Sequence, residues 1–488
     1  MSWRSNPMAR SRWIAQVSLM GGLATLTSTT DSNKPALKQS ARYQAMESLT
    51  AVFQEGAYVN HVVSQTIQDQ AVAPRDQALY TQLVYGTIQY QIPLEALFSH
   101  MVKRPKRVKK WLKQVILLSY YQYYYLDAIP EHAIVNEAVR IAKKRGNASL
   151  GRFANGVLRN SFRQYPKLES FIEEKAASEL EAASLRYSLP SYWVTYFRNR
   201  FGEEAEDLMA SLNQAPATAI RILDPDRAAA IIRDLEGEGY ALEASPINSA
   251  SYRVTKGNPA KSQAFKQGLI TIQDESASLA AQALNVQPGD RVLDACAAPG
   301  GKTVQLAQAV GDQGQVYAYD IQAHKLPLIE ENLERTGLRN RVQVASQDAR
   351  HLGQDFASES LDRVLVDAPC SGVGLFRRKP DTRYHKEAAD LTALQSIQLA
   401  ILDEVTPLLK KSGLLTYSTC TITEEENQAV VAAYLDRHPE MALEAVPVKQ
   451  PALQRAQTAQ GCLEILPHYY SSDGFFIANF RKKTEGSD

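Results

Sequence analysis

Two short stretches hold side chains able to do covalent chemistry. Residues 367–372 read DAPCSG and residues 417–421 read YSTCT, which places Cys370 and Cys420 at the ends of two apolar runs in a chain with only four cysteines in 488 residues. A thiolate is a strong nucleophile and a good leaving group, so cysteine suits reversible covalent catalysis. Carbon 5 of cytosine is one centre that needs such help, being too unreactive to take a methyl group directly. Addition of a thiolate to carbon 6 makes carbon 5 enolate-like and able to attack a methyl donor; a base then removes the carbon 5 proton and the thiolate is eliminated. A lone buried cysteine is ordinarily structural and inert. Two at neighbouring strand ends favour chemistry, although a disulfide between them is a second reading, requiring Cα atoms within about 7 Å. The residues alone do not choose which sulfur attacks.

A third stretch, VLDACAAPGGKT (292–303), runs from a strand into a glycine pair and a helix. Gly300 and Gly301 let a ligand approach the backbone, and the helix start offers free amides. The pattern is neither a P-loop nor the dinucleotide fingerprint. Asp320, at the end of the next strand, is placed like the acid that binds ribose hydroxyls in doubly wound folds. Asp348 ends the strand after that, where a carboxylate can accept from an adenine amino group. Carboxylates for a sugar and a base, with no cation cluster for phosphates, favour an adenosine ligand without a phosphate chain. S-adenosylmethionine fits, because its sulfonium charge tolerates the nearby Asp294 and Asp367. Cys296 and Cys462 read as structural on spacing alone.

The elements that must position these groups follow from periodicity. From about Ala283 the chain alternates strands and helices, implying a parallel sheet covered on both faces. Strands are expected at 291–297, 315–320, 341–348, 362–370, 413–420 and 474–480, with a long amphipathic helix through Leu394, Ile397, Ile401, Val405 and Leu408. Functional residues of such sheets gather at the carboxyl ends of strands. Ala41 to about Tyr165 is helical throughout. A connecting helix near 173–187 and a small mixed α/β unit, roughly 189–272, lie between. The expected organisation is a terminal extension (1–40), a helical domain (41–170), a linker helix with an α/β subdomain (171–272) and an α/β Rossmann-like domain (273–485).

Composition bounds the function. Net charge is +1, so nucleic-acid affinity must come from local patches. The helical region carries them: KRPKRVKKWLK (103–113) has seven basic residues in eleven, and Lys143, Lys144, Arg145 and Arg152 follow. One such run is commonly a solvated helix face, but two in one domain favour phosphate contact. The tyrosines at 120, 121, 123, 124 and 125 read mostly as core. Cysteine spacing argues against a zinc site and against a secreted disulfide framework, so a cytoplasmic protein without metal is expected. Residues 1–26 combine arginines with about a dozen apolar residues and no acid before Asp31, resembling a targeting peptide; a disordered extension or an upstream start codon is the preferred reading. The stretch is too short for a membrane span, and no membrane association is expected.

DACAAPGGKT, DAPCSG with GLFRRKPD, YSTCT and SDGFF together resemble the motif set of RNA 5-methylcytosine methyltransferases, the Sun/Fmu family. LVYGTIQ, AIPEHAIVNEAV and FANGVLRN are similar to the NusB RNA-binding fold. The resemblance covers roughly residues 41–482. It implies an all-α NusB-like domain followed by a class I S-adenosylmethionine-dependent methyltransferase domain, with small-subunit (16S) rRNA as partner and substrate and a monomeric state. It further implies Cys420 as nucleophile, Cys370 in product release, and Asp367 beside the cytosine amino group or ring nitrogen. Donor contacts map to Cys296, Ala297, Ala298, Pro299, Gly300, Gly301, Lys302, Asp320, Asp348 and Asp367. RNA contacts are expected at Lys103, Arg104, Lys106, Arg107, Lys109, Lys110, Arg377 and Arg378. Lys379 and Thr382 depart from the family pattern, and residues 1–40 have no counterpart in it. A tRNA substrate, or a non-catalytic NusB-like RNA-binding factor, is the alternative.

Overall fold

The computed structural model describes residues 37–484. The expected extension thus lies, but for its last few residues, outside the described residues. The chain forms two compact units. The first runs up to Gln214 and also takes in Lys379–His385; the second comprises Ala215–Arg378 and the chain from Lys386 onward.

The first unit is helical: α1 (Ala41–Glu55), α2 (Val59–Gln68), α3 (Gln77–Gln89), α4 (Gln91–Met101), α5 (Lys110–Tyr125), α6 (Glu131–Arg145), α7 (Ala148–Gln164), α8 (Leu168–Lys175), α9 (Glu179–Tyr187), α10 (Ser191–Phe201) and α11 (Ala205–Ser211). Local sequence sets the ends. Ser40 and Asn147 cap α1 and α7 by accepting from Tyr43 and Leu150 backbone amides, and Ser178 caps α9, splitting the expected connecting helix in two. Leu83, Val84, Leu94, Phe98, Val115, Ile116 and Leu117 are fully buried together.

The tyrosine run on α5 belongs to this core. Tyr120 and Tyr121 are buried, Tyr125 stacks on Tyr90 with ring centroids 3.7 Å apart, and Tyr123 stacks on Phe162 at 3.8 Å. Gly86 of α3 makes room for the Tyr121 ring, which occupies the space a Cβ would need. The basic run is not a helix face. Val102 ends α4, Pro105–Arg107 form a 3-10 turn, and α5 starts only at Lys110, leaving Lys103, Arg104, Lys106, Arg107, Lys109 and Lys110 exposed. The second basic cluster meets it: the Arg145 guanidinium lies over the Trp111 ring, 5.4 Å from the centroid.

The division between units falls between the sequence boundaries of 170 and 272. Phe171, Ile172, Ala182 and Leu185 join the helical core, and Asn213 accepts from Gln89 through its backbone oxygen at 2.8 Å. Lys379–His385 is held there by Arg383 donating to Asn213 Oδ1 (2.9 Å) and by the Tyr384 hydroxyl donating to the Ile88 and Gln89 carbonyls (both 2.9 Å). The two residues that depart from the family pattern bond to each other, Thr382 Oγ1 donating to the Lys379 carbonyl at 2.6 Å.

The second unit holds two sheets. β1 (Thr218–Ile222), α12 (Ala228–Gly237), β2 (Ala241–Ala244), β3 (Ser251–Lys256), α13 (Gln263–Lys266) and β4 (Ile270–Ile272) build a four-stranded antiparallel sheet of order β2-β3-β1-β4. Then come α14 (Glu275–Ala283), β5 (Arg291–Asp294), α15 (Gly301–Ala309), β6 (Gln315–Asp320), α16 (Leu326–Arg335), β7 (Val342–Ser346), β8 (Leu361–Asp367), α17 (Ala388–Val405), β9 (Leu409–Thr419), α18 (Gln428–Arg437), β10 (Met441–Glu444), β11 (Leu463–Ile465), α19 (Pro467–Tyr470) and β12 (Phe475–Lys482).

These strands form the second sheet, ordered β10-β12-β9-β8-β5-β6-β7 with β11 beside β12. β7, β6, β5, β8 and β9 are parallel, as expected of a Rossmann-like fold. The expected wholly parallel sheet is corrected at one edge: β12, with β10 and β11 on it, runs antiparallel to β9. A helix (α18) still follows β9, but the chain first adds β10 beyond the edge and returns through the gap. Among the described residues, no helix is long and apolar enough to cross a membrane.

Gly86→Ala drives a methyl group into the Tyr121 ring and should destabilise the helical unit by about 1–3 kcal/mol, the usual cost of overpacking; chemical denaturation followed by tyrosine fluorescence measures it.

Candidate active site

Parallel strands aligned side by side deliver their carboxyl ends to one place. β8 and β9 are paired with Asp367 opposite Ser418, and Ala368 N–H donates to the Ser418 carbonyl at 2.9 Å. The loops that follow begin in register. Cys370 lies three residues past β8 and Cys420 one past β9, and their sulfurs are 2.9 Å apart. Cys420 N–H also donates to Cys370 Sγ at 3.3 Å. All four cysteines are free thiols, and Cys462 is buried away from this pair.

The second cysteine contact is made by backbone packing. Gly374 N–H donates to the Cys420 carbonyl (3.2 Å) and Gly474 N–H to the Gly374 carbonyl (3.0 Å). A Cβ at either glycine would overlap the other's backbone. This explains why both GLFRRKPD and SDGFF carry a glycine: two chain segments touch where only hydrogen fits.

Asp367 is held on both oxygens. Lys302 Nζ donates to Oδ2 at 2.6 Å and Ser418 Oγ to Oδ1 at 2.8 Å. Burial works against the Lys302 ammonium, but Asp367, Asp294 and Cys420 together hold its pKa above the ordinary lysine value. Lys302 is therefore a charged ammonium set among several acids. The Cys370 thiol is pushed well up, first by its hydrogen bond to Cys420, then by burial and by the nearby Glu426 and Asp367 charges. Cys370 consequently stays protonated at neutral pH.

The glycine turn after β5 forms the neighbouring wall. The Ala298–Pro299 bond is cis, Gly300 has φ of +100° and precedes α15, and Gly300 N–H donates to the Ala297 carbonyl at 2.8 Å. Asp320 fixes this loop, its Oδ2 accepting from Ala298 N–H (3.1 Å) and its Oδ1 from Gln322 N–H (2.9 Å). Asp348 accepts from the Arg350 side chain, at 2.6 Å from Nη2, and those hydrogen bonds hold its carboxyl at about 2. Burial, followed by Asp294, Asp367, Asp320 and Asp348, pushes the Cys296 thiol well up. Burial and four carboxylates thus disfavour the Cys296 thiolate.

Asp294 is the most informative of the four. It is buried, Thr303 Oγ1 donates to its Oδ2 at 2.7 Å, and its Oδ1 has no hydrogen-bond partner. Burial outweighs the Thr303 hydrogen bond and pushes the carboxyl up to about 7, with Asp367 and Asp320 adding to the rise. An orphaned carboxylate oxygen inside an anionic cluster fits a ligand that brings positive charge and hydrogen-bond donors.

One sequence expectation is corrected. Arg377 and Arg378 do not offer their guanidinium groups to RNA. Arg377 is buried and donates to the Ser472 carbonyl; Arg378 pairs with Asp473 (2.5 Å) and Asp274 (2.9 Å) and donates to the Ala217 carbonyl (2.8 Å). The RRKPD charge pair reads as a solvent patch in sequence, but its counterions lie 95 and 104 residues away in the chain. Residues the sequence reading passed over are Glu426 and Asn427. The TEEEN run lies one residue after YSTCT, and one of its three consecutive acids is fully buried in the structure, which the sequence does not single out.

A parallel core, a glycine turn after its first strand and acids at the next two strand ends define a Rossmann-like S-adenosylmethionine-dependent methyltransferase. Residues 281–481 match the family "16S rRNA methyltransferase RsmB/F", and residues 39–163 match the NusB family. The "Probable ribosomal RNA small subunit methyltransferase B" of Bacillus subtilis is 37% identical over 450 residues, covering 91% of this chain and 99% of its own. The ribosomal RNA small subunit methyltransferase B of Citrobacter koseri is 31% identical over 452 residues, covering 91% and 100%. Among solved structures, the crystal structure of PH0851 aligns with a TM-score of 0.76 at 25% identity, over 93% of this chain and all of that one. A methyltransferase homolog from Pyrococcus horikoshii aligns at TM-score 0.55 and 27% identity, over 63% and 99%. The chain belongs to the 16S rRNA methyltransferase RsmB/F family.

The raised Asp294 carboxyl leads to an expected pH dependence of donor binding. Raising pH through about 7 ionises it, so calorimetric affinity for S-adenosylmethionine should rise across that window more than affinity for S-adenosylhomocysteine, whose sulfur is uncharged. Asp294→Asn should abolish the difference.

Proposed function

We propose that this methyltransferase modifies carbon 5 of a cytidine in small-subunit (16S) rRNA through a covalent adduct with Cys420. The observation that carries the reading is the pair of thiol sulfurs 2.9 Å apart beside Asp367 and Lys302. Curated relatives bear the name small-subunit rRNA methyltransferase B over essentially their whole length, which supports rRNA over tRNA. The cysteine pair and the glycine turn speak against a purely RNA-binding role.

S-adenosylmethionine, when bound, supplies an electrophilic methyl group. Residues Cys296–Lys302 with Asp320, Asp348 and Asp367 would hold it. Asp320 shapes the glycine loop and keeps free lone pairs for ribose hydroxyls. Asp294 keeps an open oxygen on the same wall.

The protein's own groups divide the remaining work. Cys420, its proton given up to solvent, adds as the thiolate through Sγ to carbon 6 of the cytosine, and the ring electrons move to carbon 5. Asp367, anchored by Lys302 and Ser418, accepts from the cytosine amino group, or from the ring nitrogen once that nitrogen is protonated, and fixes the base. After methylation a base takes the carbon 5 proton, and the Cys420 sulfur leaves. The Cys370 thiol, kept protonated, donates a hydrogen bond to that sulfur and so stabilises the departing thiolate.

RNA is gripped through phosphates by the helical unit, where the exposed Lys103–Lys110 loop and the cluster at the end of α6 adjoin through Arg145 and Trp111. The target cytidine is unstacked to enter the pocket, at a cost of a few kcal/mol. A monomer suffices for this scheme.

Tritiated methyl transfer to small-subunit rRNA tests it. Cys420→Ser should abolish transfer, and Cys370→Ala should accumulate protein–RNA adduct on denaturing gels; the reverse pattern would exchange the two roles. Changing Lys106, Arg107, Lys109 and Lys110 to Gln together should weaken binding and flatten its salt dependence, by roughly 0.7–0.9 in slope for each phosphate no longer neutralised. Bisulfite sequencing of RNA from a deletion strain identifies the position.

A further inference from the structure

Directly after the Cys420 loop, at the entrance to α18, stand Glu426 and Asn427, both fully buried. Neither touches the sulfurs. Between them, with Gln398 from α17, they hold the residues on both sides of each cysteine.

Around Cys370, Ser371 N–H donates to Glu426 Oε1 at 2.8 Å, and Gln398 Nε2 donates both to the Pro369 carbonyl (2.9 Å) and to Glu426 Oε1 (3.0 Å). Ser371 Oγ donates to Glu426 Oε2 at 2.5 Å, and Thr423 Oγ1 to the same oxygen at 2.8 Å. Around Cys420, Thr419 Oγ1 donates to Asn427 Oδ1 (2.6 Å) and Asn427 Nδ2 to the Thr421 carbonyl (3.1 Å). Ser371 Oγ and Thr421 Oγ1 close the ring at 2.9 Å.

A carboxylate has two oxygens and about four acceptor sites, and here four donors from three chain segments converge on one. A buried acid could serve the fold alone, but these contacts have a particular address. They fall on Pro369, Ser371, Thr419 and Thr421, the immediate neighbours of the two thiols. Catalysis by a positioned nucleophile is steep in distance, a shift of about 1 Å costing about 10²-fold.

We propose that Glu426 is a positioning residue, which, with Asn427, clamps the two cysteine loops so that Cys420 meets carbon 6 with Cys370 at its side. The clamp rests on the covalent reading above. Its positioning effect works through hydrogen-bond geometry, apart from the smaller contribution the Glu426 charge makes to the raised Cys370 thiol. A glutamine at 426 keeps the contacts, its amide oxygen accepting from Ser371 N–H and Gln398 while its amide nitrogen donates to the Ser371 and Thr423 hydroxyls, which can reverse direction. Alanine keeps none and strands Ser371 N–H.

The test uses full-length protein, tritiated S-adenosylmethionine and small-subunit rRNA transcript. Glu426→Ala should lower kcat about 10²-fold, the cost of a displaced reacting group, with the KM and calorimetric Kd for S-adenosylmethionine unchanged. Glu426→Gln should recover most of that rate. In the Cys370→Ala background, adding Glu426→Ala should slow adduct formation in proportion to the loss in kcat. Should Glu426→Ala fail to fold, Thr423→Val removes one of the four donors at nearly constant volume and should show a partial loss in kcat at unchanged Kd.

Wild-type kcat in either Glu426→Ala or Thr423→Val would overturn the clamp, as would a Glu426→Gln enzyme as slow as the alanine variant. Adduct forming equally fast with and without Glu426 overturns the clamp and leaves the covalent reading intact. No adduct in Cys370→Ala alone strikes the covalent reading instead, while the kcat comparison at Glu426 still decides the clamp.

Discussion

The active centre depends on one pairing, that of β8 with β9. Their parallel register sets Asp367 opposite Ser418, and every later contact follows from that alignment. Each strand then turns out of the sheet into a loop carrying one thiol. A slip of one residue would reverse the faces of both strands and part the sulfurs. Fully buried Val364, Leu365 and Val366 on one strand and Leu415 and Tyr417 on the other make such a slip expensive.

Electrostatics give the site its second character. Asp294, Asp320, Asp348 and Asp367 all act to raise the Cys296 thiol, with Lys302 bonded to Asp367 and Arg350 bonded to Asp348 as cations among them. Keeping a carboxylate such as Asp294 dry and half-partnered costs stability, which a fold optimised for stability alone would avoid. The arrangement makes sense as preparation for a cationic ligand. The helical unit carries the densest exposed basic run, Lys103 to Lys110, so a chain of net charge +1 holds both a cluster of acids and a local patch of cations.

Much of this was legible in the sequence because it rests on local signals. Short apolar runs alternating with helical segments marked the six main strands, and DACAAPGGKT announced its turn through its glycines. The misreadings share a cause. The antiparallel direction of β12 depends on where the chain returns, which strand periodicity does not encode. Arg377 and Arg378 look like surface cations until Asp274 and Asp473 arrive from distant parts of the chain. Glu426 looks like one of three solvated acids, since nothing in TEEEN tells which of them is buried. The basic run at 103–113 has the composition of a helix face, but Pro105 and crowded like charges leave its first half as loop.

β12 has a consequence for the order in which the molecule becomes competent. The strand bearing Cys420 is flanked on its outer edge by residues 475–482, and the glycine just before them is what presses on Gly374. On a chain still being synthesised, β9 has an open flank and the thiol loops lack their backstop. The backstop of the Cys420 loop is therefore supplied from more than 50 residues further along the chain, and both thiol loops reach their final packing only once that segment is in place.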